Sequence, residues 1–304
     1  MASIFRLIDD KTHYEPIVRD SIKKYGFAPE HNLNWFECVG DGSEKYAAVW
    51  DNNECLLSFR DARAWYVHVE PIAAVGHRGL RMLEFAFVIL RDYPSIEKIV
   101  VEVCKETLAE MKTLLARYPE LKFRALNYIL RWPIINLETF DAALAGSHWK
   151  SLRNLANKLT RDYTLQMVDA PSIDKKILHG IINRWKKNRH GHDHAYPRRY
   201  HALIDSNFEG CGHAQVLSAG DVPVGINAGW RIPHSKTYYG AIGVHDYSIK
   251  NIGHYLYLED ILWMKKNHYT YVNLGGGEEN LNSFKNFYKP ESWYDTYNFS
   301  IVRA

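Results

Sequence analysis

A chain of 304 residues is long enough for one large domain or two of medium size, and a hydrophobic share of 46% is enough to bury a core. A charged share of 24% excludes a disordered chain. A formal charge of +3 excludes a strongly basic or acidic protein, so any nucleic-acid contact has to come from a local patch.

The N-terminus, MASIFRLIDD, lacks the apolar core of a signal peptide. The following stretch, through KKYGF, reads as a polar-faced helix. WFECVG, KYAAVW and NECLLSF read as short strands separated by GDG and DNN turns, and WYVHVEPI as a further strand. After AVGHRG comes RMLEFAFVILRDY, apolar at helical spacing and too short to span a bilayer. No integral membrane segment is expected, and the cytoplasm is the expected compartment. KIVVEVC reads as a buried strand, KETLAEMKTLLARYP as an amphipathic helix and LKFRALNYILRW as a strand. The cysteines Cys38, Cys55, Cys104 and Cys211 make no CxxC pair, no zinc spacing and no disulfide framework; Cys104 reads as a small core residue.

In the second half, LETFDAALAG and HWKSLRNLANKLTRDY read as helices and YTLQMVDA as a strand. SIDKKILHGIINRWKKN and RRYHALIDSNFEG read as helices on either side of the polar loop HGHDHAYP. HAQVLSAGDVPVGINAGWRI is a hairpin turning at Gly220-Asp221, and TYYGAIGVHD is a strand. KNIGHY opens a helix, YTYVNL is a strand, NLNSFKNFY a helix and WYDTYNFSIV a closing strand. Both halves run through antiparallel strands, a glycine-bearing turn, a helix, a buried strand, a helix and a last strand. The expected architecture is therefore α/β (α+β): two tandem units, 1–132 and 133–304, each with a mixed, mostly antiparallel sheet flanked by helices.

That order resembles the GNAT acyltransferase fold, in which the amides of an R/Q-x-x-G-x-G/A turn and the helix after it hold the pyrophosphate of coenzyme A. Here Lys250 stands at the Arg/Gln position of KNIGHY, followed by Asn251; Gly253 matches, and Tyr255 replaces the last small residue. AVGHRGLR is a fainter match in the first half. The tail VNLGGGEENLNSFKNFYKP, with Asn273, Glu278, Leu281, Lys285, Tyr288 and Pro290, resembles the end of GNAT-related transferases of the phosphatidylglycerol lysyltransferase C-terminal (DUF2156) type, cousins of the FemAB-like aminoacyltransferases. The resemblance covers roughly residues 130–304 by motif and the first half by fold. It implies acyl or aminoacyl transfer to an amine or hydroxyl of a small-molecule, lipid or peptide acceptor, by direct attack. The donor is an acyl-CoA or an aminoacyl-tRNA, and no further cofactor is implied. Tyr255 in the turn argues against acetyl-CoA. An acyl-CoA N-acyltransferase and a non-catalytic GNAT-like binding protein are the alternatives.

GGGEEN lacks the Gly-Lys-Ser/Thr of a phosphate loop, and Glu278 and Glu279 would repel phosphate. The triplet is expected to let a strand splay, so that Asn273, Glu278 and Lys285 border one pocket with Gly253 and Tyr255. Glu278 is the candidate base, with the competing role of a charge at a helix start. His245 and Asp246, at a strand end, are a candidate proton shuttle, and Tyr239, Tyr255 and Tyr257 are candidate acids. Lys150, Arg153, Asn154, Asn157 and Arg161 share one helix face opposite leucines. That face is either a donor-binding stripe or plain solvated surface. His190, His192, His194 and His201 suggest a metal, but Lys186, Lys187, Arg189, Arg198 and Arg199 oppose a cation, and no metal is expected.

Overall fold

The computed structural model describes residues 4–40, 42–189 and 196–304. The chain opens with β1 (Arg6–Ile8), α1 (Lys11–Tyr25) and α2 (Leu33–Cys38). The strand expected at WFECVG is thus a helix. Asn32 caps it by accepting a hydrogen bond from the Trp35 N–H at 3.2 Å. Both faces of α2 are covered: Leu33 and Phe36 pack with α1, while Trp35 and Cys38 pack into the second unit. Burial on two sides hides the helical period and mimics a strand.

β2 (Glu44–Val49), β3 (Cys55–Asp61) and β4 (Ala64–Val67) continue an antiparallel meander from β1. α3 (Arg78–Asp92) crosses over to β5 (Lys98–Cys104), which runs parallel to β4. Met82, Phe85, Ala86 and Ile89 of α3 are completely buried in the core beneath. α4 (Lys105–Leu114), β6 (Leu121–Phe123) and β7 (Tyr128–Asn136) follow.

Residues 137–146, expected to be helical, form turns and loop instead. The Asp141 carboxylate accepts from Ala143 N–H (2.9 Å) and Ala145 N–H (2.7 Å), an alternative to helix that short acidic side chains offer the backbone. Then come α5 (Lys150–Asp162), β8 (Leu165–Asp169), α6 (Lys175–Lys187), α7 (Pro197–Asp205), and the antiparallel strands β9 (His213–Ala219), β10 (Val222–Arg231) and β11 (Thr237–His245). α8 (Ile252–Lys266) crosses over to β12 (Tyr271–Asn273), parallel to β11. α9 (Glu279–Lys285) and β13 (Ser292–Arg303) complete the chain.

The described strands form one continuous mixed sheet in the order β1-β2-β3-β4-β5-β13-β7-β12-β11-β10-β9-β8, with β6 also on β13. It contains two GNAT-like units, each an antiparallel meander, a crossover helix and a parallel strand. The two exchange strands at the centre. β13, last in the chain, lies against β5 of the first unit; β7, which holds both Trp132 and Pro133, lies against β12 of the second. β7 and β13 pair antiparallel from Ser292↔Ile134 to Asn298↔Tyr128. The sheet splays in both units. β4–β5 pairing ends at Tyr66↔Val100, and β11–β12 pairing at Tyr239↔Asn273. Such divergence at strand ends is where α/β proteins form ligand crevices.

Candidate functional site

The first splay opens into a cavity of about 440 Å³ where the two units meet. Its walls come from residues 27–30, from His68–Glu70 after β4, from the end of β5, from Trp132 and Ile134 of β7, from Thr237 and Asn273, and from Tyr294 and Thr296 of β13. Four carboxylates line it, on Glu30, Glu70, Glu102 and Glu106, together with one described cation, Arg78.

Glu102 lies within the apolar run of β5. Thr296 donates to its Oε1 at 2.6 Å and accepts from Trp132 Nε1 at 2.9 Å, which fixes both side chains. Burial pushes the Glu102 carboxyl up to about 7. The Thr296 hydrogen bond opposes this rise, and the neighbouring charges of Glu30 and Glu70 add to it. Glu30 accepts from Tyr239 Oη (3.1 Å) and Trp35 Nε1 (3.2 Å); burial raises its carboxyl and the Arg199 guanidinium lowers it. Glu70 is anchored by Cys104 N–H and the Thr107 hydroxyl. His31 is buried and held neutral, down at about 3. Its Nδ1 accepts from Phe27 N–H at 3.1 Å, so Nε2 carries the proton to Glu70 O at 2.9 Å. This hydrogen bond pins the 27–31 segment to the pocket wall. Cys104 also lines the cavity, but burial pushes its thiol up to about 12, so it is no thiolate nucleophile at neutral pH.

The second splay is filled. β11 bulges at Ala241, between the pairs Ala228↔Ile242 and Gly229↔Gly240. Beside it the Lys285 ammonium donates to Gly275 O at 2.6 Å and Gly276 O at 3.3 Å, with Lys285 only 1% exposed. Burial pulls this ammonium down to about 7. The unfolded chain thus keeps a proton between pH 7 and the ordinary lysine range that the folded chain releases, and Lys285 makes stability rise with pH across that window. Lys285→Met is expected to remove the rise. Melting temperatures of the two proteins at pH 7 and pH 9.5 check it: the wild-type should gain on the variant as pH goes up. The Tyr257 ring covers Gly243, where a Cβ would lie 2.2 Å from its hydroxyl.

Both pyrophosphate-type turns are also occupied from within. At the start of α3, Glu54 accepts from Ala74 N–H (3.1 Å), His77 Nδ1 (2.7 Å) and Arg81 Nε (2.5 Å), while Glu110 accepts from Gly79 N–H (2.9 Å). Two internal carboxylates thus take the amides an anion would use. At the start of α8, the His245 ring lies on Gly253, where a Cβ would meet it at 2.3 Å.

Of the residues singled out in the sequence, Asn273 lines the cavity. Its Nδ2 donates to Tyr294 Oη at 2.9 Å, and its Oδ1 accepts from Gly275 N–H at 2.8 Å. The glycine triplet is the loop that carries Asn273 past Trp132. Gly275 takes φ +82°, and Gly276 lies so close to the indole that a Cβ would be 2.6 Å from it. Glu278, Lys285, Gly253 and Tyr255 are not among the cavity's lining residues. Glu278 stands at the N-cap of α9. His245 is neutral, held down at about 4 by burial, and among the described residues its Nδ1 has no hydrogen-bond partner. Asp246 is instead bound by Arg184 Nε (2.6 Å) and Ser248 N–H (2.9 Å). Lys250 and Asn251 are exposed, with Asn251 left-handed at φ +69°. On α5, Lys150 and Asn154 face solvent, and Arg153 binds Leu144 O and Gly146 O. His201 contacts His179, Nδ1 to Nδ1 at 2.7 Å; His190, His192 and His194 lie outside the described residues.

Sequence reading missed Glu30, Glu70, Arg78 and Glu102. The available signal was Glu102 itself, an acid inside the otherwise apolar KIVVEVC.

Among the described residues no helix is long and apolar enough to cross a membrane. Three solved structures share the fold. The L-PGS of Bacillus licheniformis has a TM-score of 0.68 at 16% identity, over 97% of this chain and 92% of that one. FemX has a TM-score of 0.59 at 11% identity, over 95% and 96% of the two chains. A tandem GNAT protein from the clavulanic acid biosynthesis pathway has a TM-score of 0.58 at 10% identity, over 98% of each. No curated protein matches the sequence. The sequence profile described as phosphatidylglycerol lysyltransferase, C-terminal, matches residues 23–298. With nearly the whole chain inside that match and a tandem GNAT-like sheet beneath it, the protein belongs to the phosphatidylglycerol lysyltransferase C-terminal family of aminoacyltransferases.

Proposed function

We propose that this chain transfers an aminoacyl group from a charged tRNA to a hydroxyl or amine of a lipid or peptide acceptor, in the cavity between the units, with Glu102 as general base. The observation that carries this reading is a carboxyl poised at about 7 inside a cavity, held by Thr296 and facing open space. The acceptor oxygen or nitrogen attacks the ester carbonyl and gives its proton to Glu102. The tetrahedral intermediate then collapses, the bond to the ribose oxygen breaks, and Glu102 returns the proton to that oxygen. No covalent enzyme intermediate is needed, and the protonated Cys104 thiol offers none.

The acidic lining suits a donor that carries its own ammonium groups. It does not suit an acyl-CoA, whose pyrophosphate would have to displace Glu54 and Glu110 from one turn or His245 from the other. The filled second splay supports one reaction site per chain, in the first. The exposed face of α5, with Lys150 and Asn154, lies outside the cavity and suits contact with a nucleic-acid backbone.

Lysine and phosphatidylglycerol, the pair in the family's name, are the first to test. The protein is incubated with labelled lysyl-tRNA and phosphatidylglycerol vesicles, and in parallel with acetyl-CoA. Label moving into lipid from the tRNA, with none from acetyl-CoA, is the expected result. Transfer from acetyl-CoA alone would reverse the reading.

A further inference from the structure

The one described cation lining the cavity, Arg78, forms no ion pair with a described residue. The Arg78 guanidinium carbon lies over the Phe27 ring, 3.2 Å from its centroid, so the ring covers one side of it. Among the described residues it makes no hydrogen bond or ion pair, and its Nε is buried without a partner. Glu106 is near enough to feel its charge, yet the two form no ion pair. A half-buried guanidinium that keeps its donors unsatisfied is a receptor for an oxyanion, because phosphate or carboxylate can use two of its N–H groups at once. The amides at the start of α3, the other anion site nearby, are already held by Glu54 and Glu110.

The cavity is graded. Glu106 is exposed and within charge reach of the half-buried Arg78, whereas the Glu102 carboxyl, held by Thr296, is withdrawn from water enough for burial to dominate its proton affinity. A ligand that fits has an anion at the rim and an ammonium further in. The aminoacylated end of a tRNA has this order: amine, ester, ribose, then the phosphodiester on the ribose 5′ oxygen. We infer that Arg78, braced on Phe27, binds the phosphodiester next to the aminoacyl ester and so sets how deeply the donor enters. This rests on the aminoacyl-tRNA reading above.

The test uses two non-hydrolysable donors, amide-linked 3′-lysylamino-adenosine with and without a 5′-phosphate, and measures equilibrium binding to the whole chain. The wild-type is expected to bind the phosphorylated compound more tightly by roughly tenfold to hundredfold, the usual range for a charge-assisted hydrogen-bonded pair. Arg78→Gln should bind both compounds equally, at the wild-type affinity for the unphosphorylated one, and Arg78→Lys should restore part of the preference. Unchanged affinity for the unphosphorylated compound shows that each variant is folded. A wild-type ratio of one, or a ratio that survives Arg78→Gln, overturns the proposal while donor binding stands. If Arg78→Gln keeps the ratio and instead weakens capture of phosphatidylglycerol vesicles, the anion is the acceptor's phosphate and the proposal fails. If neither compound binds and lysyl-tRNA is not consumed, the aminoacyl-tRNA reading falls, and Arg78's role with it.

Discussion

Glu102→Gln is expected to lower the aminoacyl-transfer rate by roughly 10²–10⁴-fold, the usual contribution of a general base. The substitution keeps size and the contact with Thr296 but removes the proton acceptor. In the wild-type, the rate should climb as pH rises through about 7, where the buried carboxyl ionises. Stability should move the other way. Burial has raised the folded carboxyl above its ordinary value near 4.5, so the folded chain holds a proton that the unfolded chain has lost. This group's contribution to stability therefore falls as pH climbs from about 4.5 to about 7. Glu102→Gln removes that fall, and its melting temperature at pH 8 should equal or exceed the wild-type's. A dead but fully stable variant separates catalysis from folding. Glu278→Gln, assayed alongside, tests the competing base: a normal rate there with a collapsed rate in Glu102→Gln assigns the proton to the cavity. Full activity in Glu102→Gln would discard it.

Glu54→Ala is expected to have the largest effect on stability. The Glu54 side chain is fully buried and binds the Arg81 guanidinium, the His77 imidazole and Ala74 N–H, and Arg81 is itself only 14% exposed. Removing the carboxylate leaves a nearly buried cation with Glu84 as its remaining carboxylate partner, and leaves Ala74 N–H without its acceptor. Breaking a buried pair from one side typically costs roughly 3–5 kcal/mol, and a melting-temperature drop on the order of 10 °C is expected. The carboxyl is held down at about 2 by hydrogen bonds from Asn52, Arg81, His77 and Ala74 that outweigh its burial. Its contribution is fully present above about 4.5 and is lost as pH falls toward 2. The gap between wild-type and variant melting temperatures should therefore close in acid. A gap that stays constant from pH 7 to pH 3 would show that the ionised pair is not its source.

Much of this was legible before folding was considered. Apolar spacing marked α3, α5 and α6, and turn residues bounded β2, β3 and the β9–β10 hairpin, because an amphipathic face and a tight turn are both local features. The repeated order of elements showed the tandem α/β plan; of the residues expected to share a pocket at the LGGG tail, only Asn273 lines the cavity. Where local reading failed, a local competitor or a second partner was responsible. Asp141 bound the amides of the expected helix, and α2 was buried on two sides so that its period vanished. The cavity belongs to the tertiary structure alone. Thr296 and Glu102 are 194 positions apart, and they meet because the last strand returns to the first unit while β7 crosses to the second. Periodicity states which face of a strand is buried, but not which strand lies beside it. The neighbour decides whether Glu102 meets water, a counter-ion or a cavity, and so decides its proton affinity. The sequence holds the acid; the strand exchange sets the neighbours that raise its proton affinity.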